Sequence, residues 1–139
     1  MNLLIHTDGG ARGNPGPAAI GVVIEAIDGE KGGKPITVAT FGKKIGKATN
    51  NVAEYQAVVA ALTHLRDTPG IKRIQFVLDS RLVANQLAGT FKVKDATLRS
   101  LLFEIRRLEA EIGAAVSYKA VPREQNMRAD ALVNRAFDA

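Results

Sequence analysis

Leu3-Leu4-Ile5-His6-Thr7-Asp8-Gly9-Gly10 is a short apolar run that stops on an acid and two glycines. Leu3 to Thr7 predicts a strand, ended by Asp8-Gly9-Gly10 and followed by the turn-rich Gly13-Asn14-Pro15-Gly16-Pro17. Ile74-Gln75-Phe76-Val77-Leu78 repeats the pattern and leads into Asp79. If these two strands lie side by side and parallel, both aspartates emerge at their carboxyl ends, where open α/β sheets place their sites.

Working outward, Ala19 to Ile27 predicts a second strand, Asp28 to Pro35 a flexible hairpin connection, and Ile36 to Ile45 a third strand. Thr49-Asn50-Asn51 predicts the cap of a helix reaching about Arg66, with Val58, Leu62 and Leu65 on one face. Pro69-Gly70 breaks it, and Ile71 to Leu78 is the fourth strand. Ser80 predicts the cap of a short helix to Leu87, ended by Gly89, with Thr90 to Lys94 as a connector. Leu98, Leu101, Leu102, Ile105, Leu108 and Ile112 recur at helical spacing up to Gly113. Ala115 to Val121 predicts a fifth strand, Pro122 to Gln125 a loop, and Asn126 to Phe137 a last helix. The fold class is therefore α/β. Three hairpin-linked strands followed by αβααβα give a mixed five-stranded sheet flanked by helices.

Four acids stand where folding alone explains them poorly. Glu54 precedes Val58 and Leu62 by four and eight residues, so it shares their helix face. Asp130 precedes Val133 and Phe137 at i+3 and i+7. Each of the four has a bland explanation: a turn aspartate for Asp8, a helix cap for Asp79, first-turn acids favoured by the helix dipole for Glu54 and Asp130. Convergence of all four on one sheet edge favours one metal site instead. Buried acids without a matching Lys or Arg cost several kcal/mol unless a cation meets them. Metal-dependent phosphoryl chemistry on a nucleic acid follows as the hypothesis.

Composition sets the limits. At 139 residues the chain is expected to form one domain, residues 1–139, large enough for a real core. Cysteine is absent, which excludes disulfides, thiolate zinc sites and cysteine nucleophiles. The formal charge of +5 and pI near 9.7 fit a polyanionic partner. Gly13-Asn14-Pro15-Gly16-Pro17 lacks the Lys-Ser/Thr pair of a Walker A loop, so nucleotide hydrolysis by a P-loop is rejected. No apolar run approaches membrane-spanning length, and a soluble cytoplasmic monomer is the expectation.

Thr7-Asp8-Gly9-Gly10-Ala11-Arg12-Gly13-Asn14-Pro15-Gly16-Pro17, Thr49-Asn50-Asn51-Val52-Ala53-Glu54, Leu78-Asp79-Ser80, and Asn126 with Asp130 occur in this order across nearly the whole chain. Together they resemble the type 1 ribonuclease H family, in its compact archaeal and bacterial subgroup. The resemblance implies a βββαβααβα ribonuclease H-like fold and endonucleolytic hydrolysis of the RNA strand of RNA/DNA hybrids, leaving 5′-phosphate and 3′-hydroxyl ends. It implies two Mg²⁺ or Mn²⁺ ions held by Asp8, Glu54, Asp79 and Asp130. Asp8 would bridge both ions, Asp130 would hold the one activating water, and Glu54 and Asp79 would complete the one at the leaving 3′-oxygen. Gly9, Gly10 and Ala11 would present backbone to RNA 2′-hydroxyls. Asn14, Asn50, Asn51 and Asn126 resemble positions that contact substrate, though Asn50, Asn51 and Asn126 also read as helix caps, and Arg81 falls near a substrate contact that is often a polar amide residue in the family.

Two departures stand out. Better-known members carry a histidine in the loop before the last helix, whereas here the histidines are His6 and His64. Arg123 is the nearest ionisable residue in that loop; it would contact phosphate and act electrostatically, since arginine is no base near neutral pH. Some members also carry a basic, tryptophan-containing protrusion, replaced here by Thr90-Phe91-Lys92-Val93-Lys94. Hybrid affinity would then be weaker, or distributed over Lys43, Lys44, Lys47, Lys92 and Lys94, each of which also reads as a solvated surface lysine. Two rivals remain: a nuclease of the same superfold acting on another nucleic acid, and a catalytically silent binding module.

Overall fold

The computed structural model describes residues 1–27 and 33–139. Five strands form one sheet: β1 (Asn2–Ala11), β2 (Gly16–Ile27), β3 (Ile36–Ala48), β4 (Arg73–Leu78) and β5 (Ala115–Ala120). Four helices accompany them: α1 (Asn50–Leu65), α2 (Arg81–Leu87), α3 (Ala96–Ile112) and α4 (Met127–Asp138). The strand order is β3-β2-β1-β4-β5. β1 and β3 run antiparallel to β2, and β4 runs parallel to both β1 and β5. This is the mixed sheet expected from the sequence. The expected connection from Asp28 to Pro35 lies partly outside the described residues.

The main core fills the face covered by α1 and α3. Leu3 and Ile5 of β1 and Phe76 of β4 meet Tyr55, Val58 and Leu62 of α1 and Ile105 and Leu108 of α3. The helical spacing read from Leu98 onward thus marks a buried stripe. The helix itself begins earlier than that stripe, because Asp95 caps it by accepting from the Leu98 N–H at 2.9 Å. α4 covers the other face with a smaller cluster of Ala19, Val133, Ala136 and Phe137.

One boundary is corrected with consequences for the site. Asp8 does not end its strand: β1 continues through Ala11, because Asp8, Gly9, Gly10 and Ala11 pair with Gly21, Ile20, Ala19 and Ala18 of β2. On its other side, β1 loses its partner earlier, since the parallel ladder with β4 ends at His6↔Val77. Asp8 and Asp79 are each the second residue past that last pair. They therefore emerge together at the carboxyl edge, as the spacing predicted, and of the two only Asp8 still has a ladder partner, Gly21 on its β2 side.

Two close approaches bring helices onto this edge. A β-carbon on Gly9 would sit 2.3 Å from the Ala53 carbonyl and 2.7 Å from the Glu54 nitrogen of α1. A β-carbon on Gly21 would sit 2.3 Å from the Ala129 oxygen of α4, and one on Gly42 would sit 2.7 Å from the Leu132 oxygen. Side chains alternate along a strand, so Gly9 serves α1 on one face and the Asp8–Gly21 pair faces α4 on the other. Gly9→Ala should therefore destabilise the fold by about 1–3 kcal/mol through overpacking. A melting temperature equal to that of the parent protein would show that α1 does not need this contact.

Candidate active site

Asp8, Glu54, Asp79 and Asp130 line one cleft of about 560 Å³, together with Gly9, Gly10, Asn50, Asn51 and Arg123. One carboxylate oxygen from each of Asp8, Glu54 and Asp79 lies within 4.8 Å of the others. Asp130 stands outside that tight group, but its charge acts on both Asp8 and Asp79. The acids thus meet from four elements: β1, α1, the end of β4 and α4.

Thr49 caps α1, its hydroxyl accepting from the Val52 N–H at 3.1 Å, so neither Asn50 nor Asn51 is the side-chain cap. Glu54 lies beyond the first turn of α1, which holds no acid, and is 6% exposed. Ser80 caps α2 by accepting from Val83 at 3.2 Å, which leaves Asp79 uncommitted as a cap. Only Asp130 remains a first-turn acid.

The electrostatics are those of crowded, poorly solvated carboxylates. Glu54 Oε1 accepts from the Gly9 N–H at 3.2 Å, while its Oε2 is buried without a partner. Burial, reinforced by the charge of Asp8, pushes Glu54 well above the usual carboxylate range. Burial raises Asp8 to about 7; the neighbouring Glu54 carboxyl opposes the rise, and the charges of Asp79 and Asp130 add to it. Burial also raises Asp79, opposed chiefly by the Arg123 charge. Arg123 is a weak counter-ion: its side chain is 78% exposed and its guanidinium stands 3.9 Å from Asp130. An unpartnered buried oxygen among acids pushed toward protonation is what a hard divalent cation would satisfy, and the residues fit such an ion.

The expected substrate-contacting residues separate into groups. Gly10 opens onto the cleft, with only Asn50 Oδ1 near a notional β-carbon at 3.9 Å. The backbone amides of Gly9 and Ala11 are already engaged, by Glu54 Oε1 and by Asn50 Oδ1 at 2.8 Å. Asn14 Oδ1 accepts from the Asn50 N–H at 3.0 Å, so Asn14 and Asn50 lock the β1–β2 turn to the start of α1. Asn51 lines the cleft, whereas Arg81 is exposed and outside its lining. Asn126 occupies the cap position of α4 without a side-chain cap bond. It is 1% exposed and donates its amide to the Thr7 carbonyl at 2.9 Å, next to Asp8.

Sequence reasoning missed Asn134 and Arg12 as cleft residues. Asn134 donates to Asp130 Oδ2 at 3.4 Å, and its i+4 spacing on the same helix was the available signal. His6 and His64 lie outside the cleft lining, His64 instead beside Phe41 with ring centroids 5.3 Å apart.

A family model described as reverse transcriptase-like matches residues 6–136. Ribonuclease HI of Halobacterium salinarum is 44% identical over 133 residues, covering 96% of this chain and 63% of that protein. The crystal structure of RNase H1 from that archaeon superposes with a TM-score of 0.86 at 41% identity, covering 99% of this chain and 98% of that one. This chain is a member of the type 1 ribonuclease H family. LC11-RNase H1, solved in complex with an RNA/DNA hybrid, gives the same TM-score of 0.86 at 41% identity, covering 98% of this chain and 96% of that one. A bifunctional protein of Mycobacterium tuberculosis is 38% identical across the full chain, which spans only 36% of that protein's length. Membership of the ribonuclease H family agrees with the observed strand order and with acids gathered at the carboxyl edge.

Raised carboxylates fix the sign of a pH effect. A group whose pKa rises on folding stabilises the native state below its unfolded value and loses that contribution as pH climbs through the folded one. For Asp8 the window runs from 3.8 to about 7. Without divalent ions, melting temperature should fall across that window, and Asp8→Asn should flatten the fall and raise stability above it. A parallel pH profile for the variant in thermal melts would contradict the assignment.

Proposed function

We propose that this chain is one ribonuclease H-like domain that hydrolyses the RNA strand of RNA/DNA hybrids endonucleolytically, leaving 5′-phosphate and 3′-hydroxyl ends. The observation that carries this reading is the trio of carboxylate oxygens within 4.8 Å, one of them on a residue with a buried, unpartnered oxygen, in an open cleft. Two Mg²⁺ or Mn²⁺ ions, held by Asp8, Glu54, Asp79 and Asp130, would supply a clamp on the attacking and leaving oxygens of an in-line displacement. Hard oxygen ligands suit such ions, and histidine is absent from the cleft lining.

The chain's own contributions are positional. The Gly9 N–H fixes Glu54 from the strand, and the Asn126 amide joins the Asp8 strand to the start of α4, which bears Asp130. Neither contact needs substrate, so the acid arrangement is built before binding. Asn134 orients Asp130, and Arg123 supplies an exposed positive charge in the cleft lining, suited to phosphate. Gly10 and Asn51 line the cleft beside the acids, which supports a role for them at the sugar edge, where a 2′-hydroxyl distinguishes RNA from DNA. Asn14 and Asn50 would act through the turn they hold. A pure binding module is disfavoured, because four acids repel the phosphates such a module must attract.

Labelled RNA/DNA, RNA/RNA, DNA/DNA and single-stranded RNA separate the readings when offered with Mg²⁺ or Mn²⁺. Cleavage confined to the hybrid's RNA strand is expected, abolished by EDTA and by Asp8→Asn. Asp130→Asn should lose activity with the fold intact or slightly stabilised; a strongly destabilised variant would mark a structural acid. Binding without cleavage of any substrate would overturn the nuclease reading. Arg123→Ala should slow turnover or weaken binding several-fold, and unchanged steady-state kinetics would remove Arg123 from the site.

A further inference from the structure

Asp79 lies beyond the last rung of both ladders that hold β4. The ladder with β1 ends at His6↔Val77 and the ladder with β5 at Leu78↔Ala120, so the next regular element to hold Asp79 is α2, which Ser80 caps. Seven residues are too few for a helix to stand by itself, so packing and anchors set where α2 lies. Val83, Ala84 and Leu87 supply the packing. The anchors are polar and sit at the far end of the helix. Arg106 of α3 donates to the Leu87 carbonyl, and Tyr55 of α1 donates its hydroxyl to Gln86 Oε1 at 2.7 Å.

The second anchor leads back to the acids. Tyr55 directly follows Glu54 on α1, and both it and Gln86 are buried, outside the lining of the cleft. Burial raises the Tyr55 hydroxyl to about 12, so it stays a donor across the working pH range. A buried hydrogen bond between neutral groups adds little net stability, and replacing both partners by apolar groups of similar shape is close to neutral. What a satisfied buried pair adds is a defined distance and direction. Here it joins two elements whose acids repel each other: the charge of Asp79 acts on Glu54, and an oxygen of each lies within 4.8 Å of the other. We propose that the Tyr55–Gln86 hydrogen bond is a positioning clamp, tying the helix that carries Glu54 to the helix that follows Asp79 and so setting the separation of two carboxylates that would share a divalent ion. This inference rests on the metal-dependent nuclease reading above and extends it to two residues that touch neither metal nor substrate.

Mn²⁺ binding by the substrate-free full chain is measured by isothermal titration calorimetry for the parent protein, Tyr55→Phe, Gln86→Leu and the double variant, alongside thermal melts without metal. Each single variant leaves one buried polar partner unpaired and should melt below the parent, while the double variant should melt close to it. All three should bind Mn²⁺ about fivefold more weakly, a milder loss than removal of a group bonded directly to a metal ligand causes. In hybrid cleavage the double variant should need about fivefold more Mn²⁺ for half-maximal rate, with KM for the hybrid at saturating Mn²⁺ near that of the parent. A double variant that binds Mn²⁺ as the parent does, or an affinity that merely follows melting temperature across the series, would overturn the clamp. If the parent binds Mn²⁺ but cleaves no hybrid, the nuclease reading fails on its own account and calorimetry still decides the clamp. A parent that binds no Mn²⁺ overturns the metal reading and the clamp together.

Discussion

The absence of a β-carbon at Gly9 is the constraint on which the site depends. With only 2.3 Å available between a notional β-carbon and the Ala53 carbonyl, α1 lies against β1 more closely than any side chain permits. That approach puts the Gly9 N–H within reach of Glu54 and so delivers a helix acid to a strand acid. Gly21 and Gly42 grant the same closeness to α4 on the opposite face, and Gly21 pairs directly with Asp8. Two helices on two faces can thus place acids at one end of one strand. Close-packed interiors leave little tolerance for such contacts to loosen.

Folding in this way concentrates like charge, which works against stability. Asp8 and Glu54 are 7% and 6% exposed, and among the described residues no buried cation balances them. The nearest ion pair, from Arg123 to Asp130, is long and largely solvated, so it offsets little of the repulsion. The rest of the molecule compensates through the apolar core between the sheet and α1 and α3, which is built from Leu, Ile, Val, Phe and Tyr. Stability is supplied on one side of the sheet and at its centre, and strain is tolerated at its carboxyl edge. The acids are held together by contacts of the protein itself, the Gly9 N–H to Glu54 and the Asn126 amide to the Thr7 carbonyl beside Asp8.

The histidine-free loop before α4 fits this economy of parts. Pro122 leads into a short 3₁₀ turn over Arg123–Gln125, which leaves Arg123 exposed above the cleft and Asn126 buried beneath it. Nearby residues of one short segment thus divide between lining the cleft and fastening α4 to β1. Family membership, the strand order and the acid cluster agree, and the chain spans 36% of its mycobacterial relative and 63% of its Halobacterium one.

The sequence by itself determined the element order, the buried stripes of α1 and α3, and the four acids, because each follows from periodicity, capping or strand-end chemistry over a few residues. The Leu3–Ile5 and Ile74–Leu78 runs even implied that Asp8 and Asp79 would emerge together. What lay beyond it was anything set by contacts between distant segments. Asp8 reads as the end of a strand because two glycines follow it, yet pairing with β2 carries the strand on to Ala11. Asn126 reads as a cap, yet its amide reaches across the fold to Thr7. Gly9 reads as room for a ligand, yet the helix takes that room. Only the tertiary structure decided which acids touch and which amides remain open, because those outcomes depend on register and helix approach rather than on local residue preference.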